Sequence, residues 1–361
     1  MESKQHDTRG QAAELVSRMS VEEQALLLSG DGWWRTHGIE RLGLPSIWVA
    51  DGPHGLRKSP SSDEPGMTSV PATCFPTAPA LAASWNTELL HEVGAALGRE
   101  AQAADVQVLL GPGINIKRSP LGGRNFEYVS EDPLLSGRMA AAYINGVQSE
   151  GVGTSVKHFA VNSQESERMS TSSDIDTRTL HEIYLPAFEI AVREGRPWTV
   201  MSAYNLINGT PASEHTELLT DILRKQWGFE GLVVSDWGGI NDRVRGVAAG
   251  NDLEMPGSGD YNRNKIIAAV REGRLSKEAL VQAATAVTAL VLKAVAAHRP
   301  GARFDAQAHH ALARRAGGEG IVLLKNTDSV LPVRAGQKLA VIEPSQRRRA
   351  SRVRAVPWST R

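Results

Sequence analysis

Residues 232–237 read Leu-Val-Val-Ser-Asp-Trp: three apolar β-formers, a serine, then an acid and an aromatic. So short an apolar run, ending abruptly in reactive side chains, predicts a strand buried on both faces that presents its carboxyl end to a site. Four other runs are built alike. Residues 47–50 end at Asp51, 106–110 lead to Gly111 and Asn115, 154–159 carry Lys157 and His158, and 199–203 end at Tyr204-Asn205. Helix-like stretches separate them at 87–103, 134–150, 177–194 and 217–226, and two more follow at 263–272 and 277–297. Strand and helix in alternation predict parallel strands joined by crossover helices.

Two architectures fit, an open doubly wound sheet and a (β/α)8 barrel. The open sheet calls for a glycine-rich phosphate turn after an early strand. Gly111-Pro112-Gly113 is not that turn, because proline removes a donor. Polar residues instead collect at the carboxyl end of nearly every strand, where a barrel builds its site. The expected fold is therefore a TIM-type barrel over residues 1–298. Pro300-Gly301 reads as a linker, and residues 299–345 as that linker and the opening of an incomplete second α/β sandwich domain. In it a helix is expected at 309–316 and strands at 321–324 and 339–342. Residues 346–361 are Arg-rich without hydrophobic period and read as a disordered tail; because the strand signal before them is abandoned in mid-pattern, a frameshifted or artificially terminated end is expected rather than a natural solvated tail.

Lys plus Arg and Asp plus Glu both number 40, so no basic surplus points to nucleic acid or an anionic membrane. The single cysteine, Cys74, rules out an intramolecular disulfide and is read as inert. Residues 1–11 lack the apolar core of a signal peptide, and no run of about 18 apolar residues suggests a span. A cytoplasmic location is expected. His309-His310 lack a third ligand at metal spacing, so no metal is expected, and with no phosphate cradle no cofactor either. Glu131-Asp132-Pro133 reads as a helix start, and Trp33 and Trp34 as core.

The strand-end set comprises Asp51 and Asp236, the cations Arg57, Arg124, Lys157, His158 and Arg168, and the rings Tyr204 and Trp237. Carboxylates and cations hydrogen-bond sugar hydroxyls, Trp stacks on a sugar face, and a carboxylate can attack an anomeric carbon.

In this order the motifs resemble glycoside hydrolase family 3, in its β-glucosidase branch. They are Asp51-Gly52-Pro53-His54-Gly55-Leu56-Arg57, Gly123-Arg124-Asn125-Phe126-Glu127-Tyr128 with Ser130-Glu131-Asp132-Pro133, and Lys157-His158-Phe159 with Glu167-Arg168-Met169. Ser202-Ala203-Tyr204-Asn205, Ser235-Asp236-Trp237 and Asp252-Leu253-Glu254-Met255-Pro256 complete the series. The resemblance spans roughly residues 15–342. It implies a retaining β-glycosidase with Asp236 as nucleophile and Asp51 on the distal hydroxyls of the bound sugar. Arg57, Arg124, Lys157, His158 and Arg168 would surround that sugar, Tyr204 would sit beside the nucleophile, and Trp237 would form a wall. The cations are expected to keep Asp236 ionised.

Retention needs a second carboxyl group. In this branch it comes from the second domain, so the acid/base is expected to lie outside this chain. Glu127, Glu165, Glu167 and Glu254 are barrel carboxylates that match no acid/base motif. The hexosaminidase branch, with its KHFPGHG motif, is excluded by Lys157-His158-Phe159-Ala160-Val161-Asn162. A sugar-binding remnant without turnover is the main rival reading, and a Schiff-base aldolase using Lys157 a remote one.

Overall fold

A computed structural model describes residues 2–66, 68–338 and 340. Its centre is a curled parallel sheet. The strands are β3 (Val49–Ala50), β4 (Val108–Leu109), β5 (Gly153–Phe159), β6 (Thr199–Ser202) and β7 (Leu232–Ser235), hydrogen-bonded in that order. All seven residues of β5 are buried, as are all four of β6 and of β7. This explains why these runs are continuously apolar rather than alternating.

Shorter pieces close the curl. Val234 bridges Leu253 in parallel and Glu254 bridges Ser29 in parallel. Next come β1 (Gly30–Asp31) and β2 (Arg35–Thr36), an antiparallel pair, and Arg35 bridges back to Trp48 beside β3. The expected barrel topology stands. Its closing staves are a hairpin and a two-residue bridge, segments too short to carry a hydrophobic period.

The crossover helices follow the expected spans closely. Among them are α2 (Thr87–Ala103) and α3 (Pro133–Ser149). Asn86 caps α2 by accepting from the Leu89 N–H, and Asp132 caps α3 by accepting from Leu135 at 2.7 Å. Pro133 stands at the first helical position, where its missing N–H costs nothing, so Glu131-Asp132-Pro133 is the helix start. The two helices press together at glycines. A Cβ on Gly146 would lie 2.1 Å from the His91 carbonyl oxygen, and one on Gly94 would lie 2.5 Å from that of Tyr143. On the far side, α1 (Glu2–Ser17) packs along α4 (Lys277–Ala297). By length and composition α4 is apolar enough to cross a bilayer, but Leu280, Val287, Leu290 and Val291 are buried in the core beneath the barrel strands.

Helix α5 (Ala306–Glu319) extends the expected 309–316 segment at both ends. It lies on the barrel: buried His309 meets buried Glu100 of α2 at 2.7 Å, and Glu100 also accepts from the Thr73 N–H. Residues 321–324, expected as a strand, form none. Ile321, Val322, Leu323 and Leu324 are all exposed, because no neighbouring strand among the described residues offers a ladder. The expected strand at 339–342, Ala340 apart, and the tail at 346–361 lie outside the described residues.

Candidate active site

The carboxyl ends of β3, β5 and β7 bring the expected residues together. Asp51, one residue beyond β3, accepts from Lys157 Nζ at 2.8 Å on Oδ1 and from Arg57 at 3.1 Å on Oδ2. Burial alone would raise the Asp51 carboxyl. The charges of Lys157 and Arg57, and the Lys157 hydrogen bond, outweigh it and hold the group well below the usual carboxylate range.

Arg124 reaches the same space from the loop that follows β4. Its guanidinium grips Glu127 twice, Nε to Oε2 at 3.0 Å and Nη2 to Oε1 at 2.7 Å, and both side chains are buried. Nη2 also lies 2.8 Å from His158 Nε2. A guanidinium only donates, so Nε2 must accept. The imidazole proton is therefore on Nδ1, which faces Tyr128 Oη at 3.0 Å. Burial, then the charges of Arg124, Lys157 and Arg168, keep His158 far below its ordinary pKa, and so neutral. Asn115 fixes its backbone, accepting from the His158 N–H at 2.7 Å and donating to its carbonyl at 2.8 Å.

Asp236 follows β7. Its Oδ1 accepts from the Trp237 N–H at 2.8 Å. Its Oδ2 is buried, lies 3.5 Å from His158 Nε2 and has no assigned hydrogen-bond donor among the described residues, the neighbouring Tyr204 hydroxyl being directed at the Trp237 carbonyl. Burial pushes this carboxyl up; Arg124, Lys157, the Trp237 N–H and Arg168 pull it down without cancelling the rise. The cations act in the expected direction, favouring the ionised form, but desolvation is the larger effect, because among the described residues no lysine or arginine touches the carboxylate directly.

Tyr204 Oη donates to the Trp237 carbonyl at 2.8 Å, and Arg168 lies over the Tyr204 ring at 4.5 Å while bonding Glu165 at 3.0 Å. Trp237 Nε1 donates to the Trp33 carbonyl at 2.9 Å, and its ring packs on Trp34 with centroids 5.3 Å apart. Trp34 is thus core, as expected, and the same contact ties β7 to the closing hairpin. The nine expected residues form one connected site.

The sequence reading gave no site role to Glu127, Tyr128, Asn115, Asn162 or Glu165, which hold the others. Asn162 donates to Tyr128 Oη at 3.0 Å. The available signal for four of them was position: Glu127 and Tyr128 stand three and four residues after Arg124, Asn162 four after His158 and Glu165 three before Arg168, whereas Asn115 is marked only by following an apolar run. Among the other barrel carboxylates, Glu254 is held by Ser258 and Asn262, and Glu167 is exposed.

Fold and site together define an α/β barrel whose strand ends carry a buried, charge-paired carboxylate site. Residues 35–290 match the N-terminal domain of glycosyl hydrolase family 3. The chain is 52% identical over 330 residues to the thermostable beta-glucosidase B of Acetivibrio thermocellus, covering 91% of this chain and 44% of that protein. It is 50% identical over 341 residues to an exo-alpha-(1->6)-L-arabinopyranosidase of Bifidobacterium breve, covering 91% and 45%. Beta-glucosidase 3B of Thermotoga neapolitana, solved with alpha-D-glucose, superposes with a TM-score of 0.84 at 41% identity, over 89% of this chain and 48% of that one. The chain belongs to glycosyl hydrolase family 3. It spans less than half the length of these relatives.

Proposed function

We propose that this chain is the barrel portion of a retaining β-glucosidase-like enzyme, with Asp236 attacking the anomeric carbon to form a glycosyl-enzyme. The observation that carries the reading is Asp236 Oδ2. It is an unpartnered oxygen at the end of a barrel strand, within a site where the other carboxylates are engaged. A buried polar atom without a partner calls for one, and here the partner is substrate. Asp51 accepts from sugar hydroxyls and Lys157 and Arg57 donate to them, as their mutual pairing leaves spare lone pairs and protons. His158, held neutral, adds no charge beside the nucleophile.

The general acid comes from residues outside the described barrel. Its pKa must be high enough to hold a proton. Glu127 is gripped by Arg124 at two points, and Glu165 is shared by Arg168 and Asn162, so the oxygens of both are already engaged within the protein. This favours slow turnover by the chain alone, confined to substrates whose leaving group needs no proton.

A dinitrophenyl 2-deoxy-2-fluoro-β-glucoside tests the first half. Peptide mapping should place the label on Asp236, and a label on Asp51 or on any Glu overturns the assignment. A dinitrophenyl glucoside assayed beside cellobiose, with and without azide, tests the second. Azide should accelerate release from the aryl substrate and yield a β-glycosyl azide. Cellobiose cleavage at an ordinary enzymatic rate, roughly 1–10³ s⁻¹, would show that an acid lies within these residues.

A further inference from the structure

The opposite end of the barrel carries a second cleft, of about 690 Å³, beneath the amino ends of β6 and β7. It lies between α1, α4 and the loops that lead into the two strands. Its floor is the Trp198 side chain, held in place because Gly153 leaves no Cβ: one there would stand 2.6 Å from the indole. Over that ring, at 4.5 Å from its centroid, lies the Lys293 ammonium.

Lys293 is partly buried and has no hydrogen bond and no carboxylate partner among the described residues. Burial without compensation lowers its pKa to about 8. Among the described residues, the charged groups facing the cleft are Arg9, Arg193 and Arg196 beside it and one acid, Glu230. Arg193 is committed to Glu189 at 2.8 Å and to the Gln226 carbonyl at 2.9 Å, whereas the cleft's acid is exposed. Leu290, Phe229 and the indole supply apolar wall.

A partly buried cation whose one recorded partner among the described residues is an indole face, in a cleft of ligand size with further cations at its rim, is an arrangement completed by an anion. We propose that this cleft binds a small organic phosphate, its phosphoryl group on Lys293 with Arg9 and Arg196 and its apolar part along Trp198 and Phe229. The proposal is independent of the sugar site, which lies at the other end of the strands.

Calorimetric titration of the full chain with phenyl phosphate tests it, with inorganic phosphate and phenol as companions. Phenyl phosphate should bind saturably and at least tenfold more tightly than either companion. K293M, which keeps an apolar stem, should weaken it tenfold or more, and K293R should restore it to within about threefold. Between pH 8 and 9.5 guanidinium groups and carboxylates do not titrate and the phosphate stays dianionic. Affinity should therefore fall across that window as Lys293 loses its proton, a result the wild-type chain gives without any variant. Equal affinity in K293M, binding unchanged to pH 9.5, inorganic phosphate binding as tightly as phenyl phosphate, or displacement by excess glucose would each overturn the proposal.

Discussion

Asp51 and Asp236 occupy equivalent places, each just beyond the carboxyl end of a barrel strand, yet their carboxyl groups are pushed in opposite directions. Both are buried. The difference is contact. Asp51 touches two cations at 2.8 and 3.1 Å, while Asp236 has one backbone N–H at 2.8 Å and feels its cations at a distance. Direct pairing overcomes desolvation, and a remote charge does not. Two like groups driven apart by their surroundings are the usual mark of divided labour in a site. Here one carboxylate is locked as a fixed acceptor, and the other keeps a free oxygen.

The largest test of that division is D236N in the assembled enzyme. If Asp236 is the nucleophile, turnover of a dinitrophenyl glucoside should fall by about 10⁴-fold or more, the scale seen when other enzymes lose a nucleophile. A drop of less than tenfold would erase the distinction between the two acids. D51N, besides weakening substrate binding, should show a large effect on stability. It leaves Lys157 and Arg57 facing an amide and should cost about 3 kcal/mol of stability, as removing one partner from a buried ion pair does. Urea unfolding of the two variants side by side reads this directly, and an unchanged midpoint for D51N would show that the pairing is not what anchors the group.

A smaller effect is expected at Tyr128. Its hydroxyl takes hydrogen bonds from His158 Nδ1 and from Asn162. In Y128F those donors lose their acceptor, at a cost of about 1–2 kcal/mol. Arg124 still requires His158 Nε2 to accept, so nitrogen-15 chemical shifts should report the same Nδ1–H tautomer and a histidine that stays neutral from pH 5 to 8. A histidine that gained a proton in that range would mean that Tyr128, not Arg124 and burial, sets its charge.

Much of this was legible in the sequence because buried parallel strands write themselves as unbroken apolar runs. The runs at 232–235 and 199–203, and the helices at 87–103 and 277–297, needed no tertiary information. The closing staves did need it: Gly30–Asp31, Arg35–Thr36 and the Leu253-Glu254 bridge are two residues long and show no period. The run at 321–324 misled for the opposite reason, since its composition suits a strand but a ladder needs a neighbour. Asp51, Lys157, His158, Tyr204 and Asp236 were readable from their strand-end positions, whereas Arg124 and Arg168 stand on loops well beyond their strands and came from the motif resemblance. Their electrostatics were not, because the sign of the Asp236 shift depends on how completely it is desolvated, which only packing decides.

The smallest expected effect is also the sharpest test of the comparison. A carboxyl whose folded pKa is raised binds its proton more tightly in the native state than in the unfolded chain. As pH climbs past the unfolded value, near 4, the unfolded state ionises more readily, so Asp236 destabilises the fold increasingly until it is itself ionised. Asn is nearly isosteric, carries no charge, and can keep the Trp237 N–H bond through Oδ1. D236N should therefore be more stable than wild type at pH 7, on the order of 1 kcal/mol, or about 2 °C in Tm. The gain should vanish toward pH 3–4, where both states of the wild type are protonated. Asp51 behaves inversely: its depressed pKa stabilises the fold above pH 4, and that contribution is lost as pH falls through the folded value. Scanning calorimetry of wild type, D236N and D51N from pH 3.5 to 7.5 should give difference curves of opposite sign. If the D236N curve is flat or negative, the nearby cations balance burial after all, and the two carboxylates differ in geometry alone.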